Sequence, residues 1–121
     1  MLSGKIWGTT TLLLRTPLIE MHRLDVLGNA HCSMHKHDKK WNAFVVISGT
    51  LTIEVEKAAY NLVDKTVLYA GELTTVQPGE FHRFVTGPFS AVALEIYYPE
   101  SLSDDDIVRR DCGGLIHERI D

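Results

Sequence analysis

The chain has 121 residues, of which 45% are hydrophobic and 23% charged, an ordinary globular composition with room for one core. Its formal net charge is -4, with 12 Lys and Arg against 16 Asp and Glu, which argues against holding nucleic acid by phosphate neutralisation. No stretch approaches the ~20 apolar residues of a membrane helix, and Leu12-Leu13-Leu14 is too short for a secretory signal, so a cytoplasmic protein with no membrane partner is expected.

Turn residues punctuate the chain at Gly8, Thr16-Pro17, Gly28-Asn29, Gly49, Gly71, Pro78-Gly79, Gly87-Pro88 and Pro99. Between them lie short runs rich in β-branched and aromatic residues, the pattern of an all-β sandwich or barrel. Strands are expected at about 10–15, 18–26, 32–35, 43–47, 51–56, 60–62, 66–68, 73–76, 82–85 and 91–98. Phe44-Val45-Val46-Ile47 is apolar throughout and reads as a central strand covered on both faces. Residues 51–56 alternate, with one face buried and one wet, after a tight turn at Ser48-Gly49-Thr50. A short helix is expected after the last strand. Ser103 caps it, Asp104-Asp105-Asp106 suit its N-terminal dipole, Arg109 and Arg110 close it and Gly113-Gly114 stop it. The whole reads as one domain over 1–121, with a core at about 18–98 and a helical tail at 103–121. Cys32 and Cys112 belong to no Cys-x-x-Cys pair and are read as free thiols.

The chemistry concentrates in His35-Lys36-His37. Two histidines one residue apart on an extended segment share a face. A third, His82, follows the turn Pro78-Gly79. Three nitrogen donors from two chain segments point to a metal site. Lys36, Lys39 and Lys40 beside it are either a solvated loop or an attraction for an anionic ligand. His22 and His31 carry no assigned role; His31 is expected at the surface near the site, and His117 lies in a polar tail.

These motifs resemble those of the cupins. The first cupin motif, Gly, spacer, His-x-His, Glu, six residues, Gly, is matched by Gly28, His35, His37 and Gly49, with Asn42 in the place of the Glu. The second is matched by Gly71, Gly79 and His82, with Gln77 and Thr86 replacing its Pro and Asn. Glu95, Leu102 and Asp105-Asp106-Ile107-Val108-Arg109 resemble the end of type II phosphomannose isomerases and related sugar-isomerase-like cupins. The resemblance implies a double-stranded β-helix, the cupin jelly-roll barrel. It also implies a divalent metal (Zn, Mn, Fe or Ni) near one mouth, held by His35, His37, His82 and the Asn42 position. A homodimer and a sugar or sugar-phosphate ligand follow from the same source. Asn42 offers only a neutral amide oxygen, a weaker donor than a carboxylate.

In such a barrel, parity turns Asn42, Phe44 and Val46 to one side, His82 with Phe84, and Ala93, Glu95 and Tyr97 together. Glu95 is then a general base or acid in the cavity, with Tyr97 its hydrogen-bond partner, or else the partner of Arg83 in a salt bridge. Arg83 and Arg109 are candidates for binding a phosphate or hydroxyl. Trp7 and Leu12-Leu13-Leu14 could form an edge strand exchanged between subunits. Three functions stay open: a metal-dependent sugar or sugar-phosphate isomerase or epimerase, a non-catalytic carbohydrate-binding or sensing cupin, and an Fe(II)-dependent dioxygenase.

Overall fold

The computed structural model describes residues 2–99. Its strands are β1 (Leu2–Lys5), β2 (Gly8–Arg15), β3 (Glu20–Val26), β4 (Trp41–Ser48), β5 (Leu51–Lys57), β6 (Leu62–Leu68), β7 (Leu73–Val76), β8 (His82–Val85) and β9 (Ala91–Tyr98). A six-stranded sheet in the order β1-β2-β3-β9-β4-β7 faces a three-stranded sheet, β6-β5-β8, and every pairing is antiparallel. This is the all-β, double-stranded β-helix barrel of the cupins. The helix expected from Ser103, and with it Arg109, Cys112 and His117, lies outside the described residues.

The register sorts the interior into layers. Across the large sheet, Glu20, Tyr97, Asn42 and Val76 stand side by side, then His22, Glu95, Phe44 and Thr74, then Leu24, Ala93 and Val46, and finally Val26 and Ala91. Side chains alternate along each strand, and on β3, β4 and β9 the inward set passes from polar at one end to apolar at the other. The apolar end is a packed core in which Val46, Leu51, Ile53, Ala93 and Phe84 are buried. Trp7 closes it, its ring meeting Phe84 edge-on at 4.8 Å.

Both glycines that frame the first histidine motif press on one loop. A Cβ at Gly28 would lie 2.4 Å from the Pro88 carbonyl oxygen. One at Gly49, where φ is +78°, would lie 2.6 Å from the carbonyl oxygen of Ser90. Only glycine permits these approaches.

Several expectations are corrected. The first strand, β1, was missed because Ser3-Gly4-Lys5 carries no β pattern; it is an exposed sheet edge. The strand expected at 18–26 starts only at Glu20, since the Thr16 hydroxyl accepts from the amides of Leu18 and Ile19 and holds a turn. Residues 60–62 and 66–68 are not two strands. Asn61 takes a left-handed conformation and β6 runs unbroken after it, its central Asp64 and Lys65 tolerated because the strand is exposed. The outer face of β4 is only partly covered: Ala43 is buried, Val45 half-buried and Ile47 exposed. Trp7 belongs to the core rather than to a free edge.

The segment 32–35 is not a regular strand. It touches β8 through isolated bridges, His31 opposite Val85 and His35 opposite His82. Between the two bridges three residues, 32–34, oppose two, 83 and 84, so the ladder carries a bulge. Within it the Phe84 amide donates to Cys32 Sγ at 3.3 Å instead of to a carbonyl.

Candidate functional site

The bulge ends where His35 meets His82. Their backbones exchange two hydrogen bonds, of 3.0 and 2.8 Å, which tie the His-x-His loop to β8. The Gly79 amide donates to the His37 carbonyl at 2.8 Å, so the turn before His82 fixes the second histidine too. The three rings pack at centroid distances of 4.7, 5.1 and 5.6 Å. One ligand atom from each lies within 4.8 Å of the others, and the group could hold a metal ion.

The donor chemistry fits such an ion. His35 Nδ1 donates to the Ser33 carbonyl at 2.7 Å, and His82 Nδ1 to that of Glu80 at 3.0 Å. A carbonyl only accepts, so each ring carries its proton on Nδ1 and keeps a lone pair on Nε2. His37 Nε2 is buried without a hydrogen-bond partner. Burial, then Lys40 and the other two histidines, lower the His37 pKa to about 4, and burial lowers that of His82. Both rings are therefore neutral at pH 7, the form that binds a cation.

Behind the imidazoles lies a polar pair. Asn42 Nδ2 donates to Glu95 Oε2 at 3.0 Å and stands 3.3 Å from His82 Nε2, while Asn42 Oδ1 is buried without a partner. Tyr97 donates a second hydrogen bond to Glu95. Burial pushes the Glu95 carboxyl above the ordinary carboxylate range, and burial with the neighbouring Glu95 pushes Tyr97 up as well. His35, Glu95 and Tyr97 reach the wall of a cavity of about 800 Å³ that opens between the sheets. Asn42 and His82 touch these groups but are themselves fully buried.

Not every expected residue is here. Arg83 faces away from His82 on β8, and its Nε donates to Glu54 Oε1 at 2.7 Å on the outside of the small sheet. The alternative pairing of Glu95 with Arg83 is therefore replaced by Asn42 and Tyr97. Of the three lysines, Lys36 pairs with Asp38, and only Lys40 reaches the cavity, its Nζ 4.1 Å from the Tyr97 ring centre. His31 is exposed at the cavity edge, its Nδ1 donating to the Cys32 carbonyl.

The cavity also holds residues that carried no expected role. His22 Nε2 meets Glu20 Oε2 at 2.7 Å, and its ring stands edge-on to Tyr97. The alternation Glu20, His22, Leu24, Val26 was the available signal, since the last two are core residues and share their facing with the first two.

The model of one protein family, described as mannose-6-phosphate isomerase C-terminal, matches residues 4–112. The chain belongs to this family. A curated relative of the chain is a mannose-1-phosphate guanylyltransferase from Sinorhizobium fredii, 26% identical over 104 residues. The match takes in 85% of the chain but 19% of that relative, so the chain spans about a fifth of its length. Among solved structures, KdgF from a Halomonas species superposes with a TM-score of 0.65 at 17% identity, covering 82% of this chain and 83% of that one. The capsular polysaccharide assembling protein CapF from Staphylococcus aureus gives 0.73 at 16% identity, over 88% of this chain and 30% of that one. These likenesses establish the fold.

Proposed function

We propose that this domain is a metal-dependent cupin that acts on or binds a carbohydrate, with a sugar or sugar-phosphate isomerase or epimerase as its activity. The observation that carries the reading is the meeting of His35, His37 and His82 near a buried carboxylate, with His35 and Glu95 on the wall of a cavity of about 800 Å³. The family match and the guanylyltransferase relative support the sugar-phosphate class.

In this reading the three histidines hold the ion, which supplies Lewis-acid polarisation of a carbonyl and its neighbouring hydroxyl when bound. Glu95 takes and returns the proton between adjacent carbons, burial having raised its proton affinity above that of an ordinary carboxylate. Tyr97 holds that carboxylate in place, and the cavity wall orients the sugar. Arg83 is committed to Glu54 and is left out. A homodimer is part of the proposal, with the exposed edge strand β1 in support.

Metal content of the purified protein is measured first, followed by turnover of a panel of aldoses and their phosphates. His35→Ala should lose metal and turnover together, and Glu95→Gln, assayed at a metal concentration that saturates its site, should lose turnover. A Glu95→Gln protein of full activity overturns the base assignment. The neutral amide at position 42 favours a second reading, a cupin that binds its carbohydrate without turning it over. Metal-loaded protein that binds sugars of the panel but converts none supports that reading. Iron with oxygen uptake would select the dioxygenase instead.

A further inference from the structure

The cupin motif places a carboxylate on the fourth strand, and this chain has an amide there. Its carboxylate stands one strand away. Asn42 on β4 and Glu95 on β9 are diagonal neighbours in the register, since Asn42 opposes Tyr97 and Glu95 opposes Phe44. Both are buried, with 1% and 7% of their surface exposed. The same amide nitrogen that donates to Glu95 lies within hydrogen-bond distance of His82 Nε2, a contact that an ion at that atom would replace. It is the nitrogen, not the oxygen, that Asn42 turns toward the imidazoles.

We propose that Glu95 supplies the negative charge of the metal centre from outside the ligand set, and that Asn42 is the positioning residue that holds it there. The proposal rests on the metal reading above and goes beyond it. The ligands are then the three histidines alone, and the acid of the first motif has been exchanged for an acid on β9 with an amide to anchor it. The two identities depend on each other. A carboxylate at position 42 would put two buried acids about 3.0 Å apart, where both cannot ionise. An amide in that place donates to the one acid that remains.

The test is a double-mutant cycle read by metal affinity alone. Co²⁺ and Zn²⁺ are titrated into the metal-free protein by calorimetry, and the Co²⁺ absorption spectrum is recorded. The set is wild type, Asn42→Ala, Glu95→Gln and the double variant. Outer partners of metal ligands are typically worth about 10- to 100-fold in affinity, so each single variant should weaken binding by about that factor. The double variant should be no weaker than Glu95→Gln, because Asn42 acts through Glu95. Asn42→Leu, of similar shape and unable to donate or ligate, repeats the cycle so that a cavity at position 42 cannot imitate the result.

Equal losses for the Asn42 variants in both backgrounds, with a changed Co²⁺ spectrum, would make Asn42 a ligand and overturn the proposal. Full affinity in Glu95→Gln overturns it as well. Wild-type protein that takes up neither ion overturns this proposal and the metal reading together, whereas tight binding without coupling overturns this proposal alone.

Discussion

Phe44 is where the packed core meets the imidazoles, which makes its truncation informative about both. The side chain is 1% exposed. Its ring centre lies 6.3 Å from that of Phe84 below and 6.2 Å from that of His82 above. Phe44→Ala removes on the order of 100 Å² of buried apolar surface, about 2.5 kcal/mol at roughly 25 cal/mol/Å². The cavity left behind raises the cost to about 3–5 kcal/mol, since neighbours held in two sheets collapse only partly. For a domain with about 5–15 kcal/mol in total, that is a loss of roughly a fifth or more, and a fall in Tm of about 10 °C or more. Urea unfolding of the metal-free protein measures it, with the slope m unchanged. The same variant should also bind Zn²⁺ more weakly, because His82 loses the ring against which it rests. Phe44→Leu should recover most of the stability. A cost below about 1 kcal/mol at unchanged m would refute the layered interior described above.

The remaining predictions are shorter. Zn²⁺ at one hundred times its Kd should stabilise the protein by about 2.7 kcal/mol, raising Tm by about 10 °C or more, and His82→Ala should abolish the rise in a thermal melt. Arg83→Gln should leave Zn²⁺ affinity unchanged by calorimetry and cost roughly 1–3 kcal/mol in urea unfolding, because it strips an ion-pair partner from the nearly buried Glu54. Gly49→Ala should cost at least about 1–2 kcal/mol, from its left-handed backbone and the approach of the Ser90 carbonyl. The His37 pKa is about 4 when folded against 6.5 for an ordinary histidine, so the unfolded chain binds protons first on acidification. That contribution to stability is whole above pH 6.5 and lost as pH falls toward 4. Urea midpoints of the metal-free protein at pH 7 and 5 should therefore differ less in His37→Asn than in wild type, and equal differences would refute the shift.

The barrel was legible because alternation is a strong signal where one face is buried. Phe44 with Val46, His82 with Phe84, and Ala93 with Glu95 all share a buried face as parity required. It failed where no buried face disciplines the sequence: in β1, an edge with every residue exposed, and in β6, most of which is exposed. The histidines were found for a different reason than the one that places them. His35 and His37 do not lie on a strand; a bulge and two backbone hydrogen bonds to His82 set their direction. Arg83 follows His82 directly on β8, and adjacent residues on a strand face opposite ways, so it meets Glu54 outside rather than a ligand within. His22 was passed over because a lone histidine carries little weight until its strand neighbours are known to be inside.

The passage from polar to apolar along β3, β4 and β9 separates what can vary from what must stay. Substitutions at Glu20, His22, Glu95 and Tyr97 alter the reactive end without disturbing Leu24, Val46 or Ala93 beneath them. A library confined to those four positions would therefore explore new chemistry on a scaffold whose foldedness is decided elsewhere.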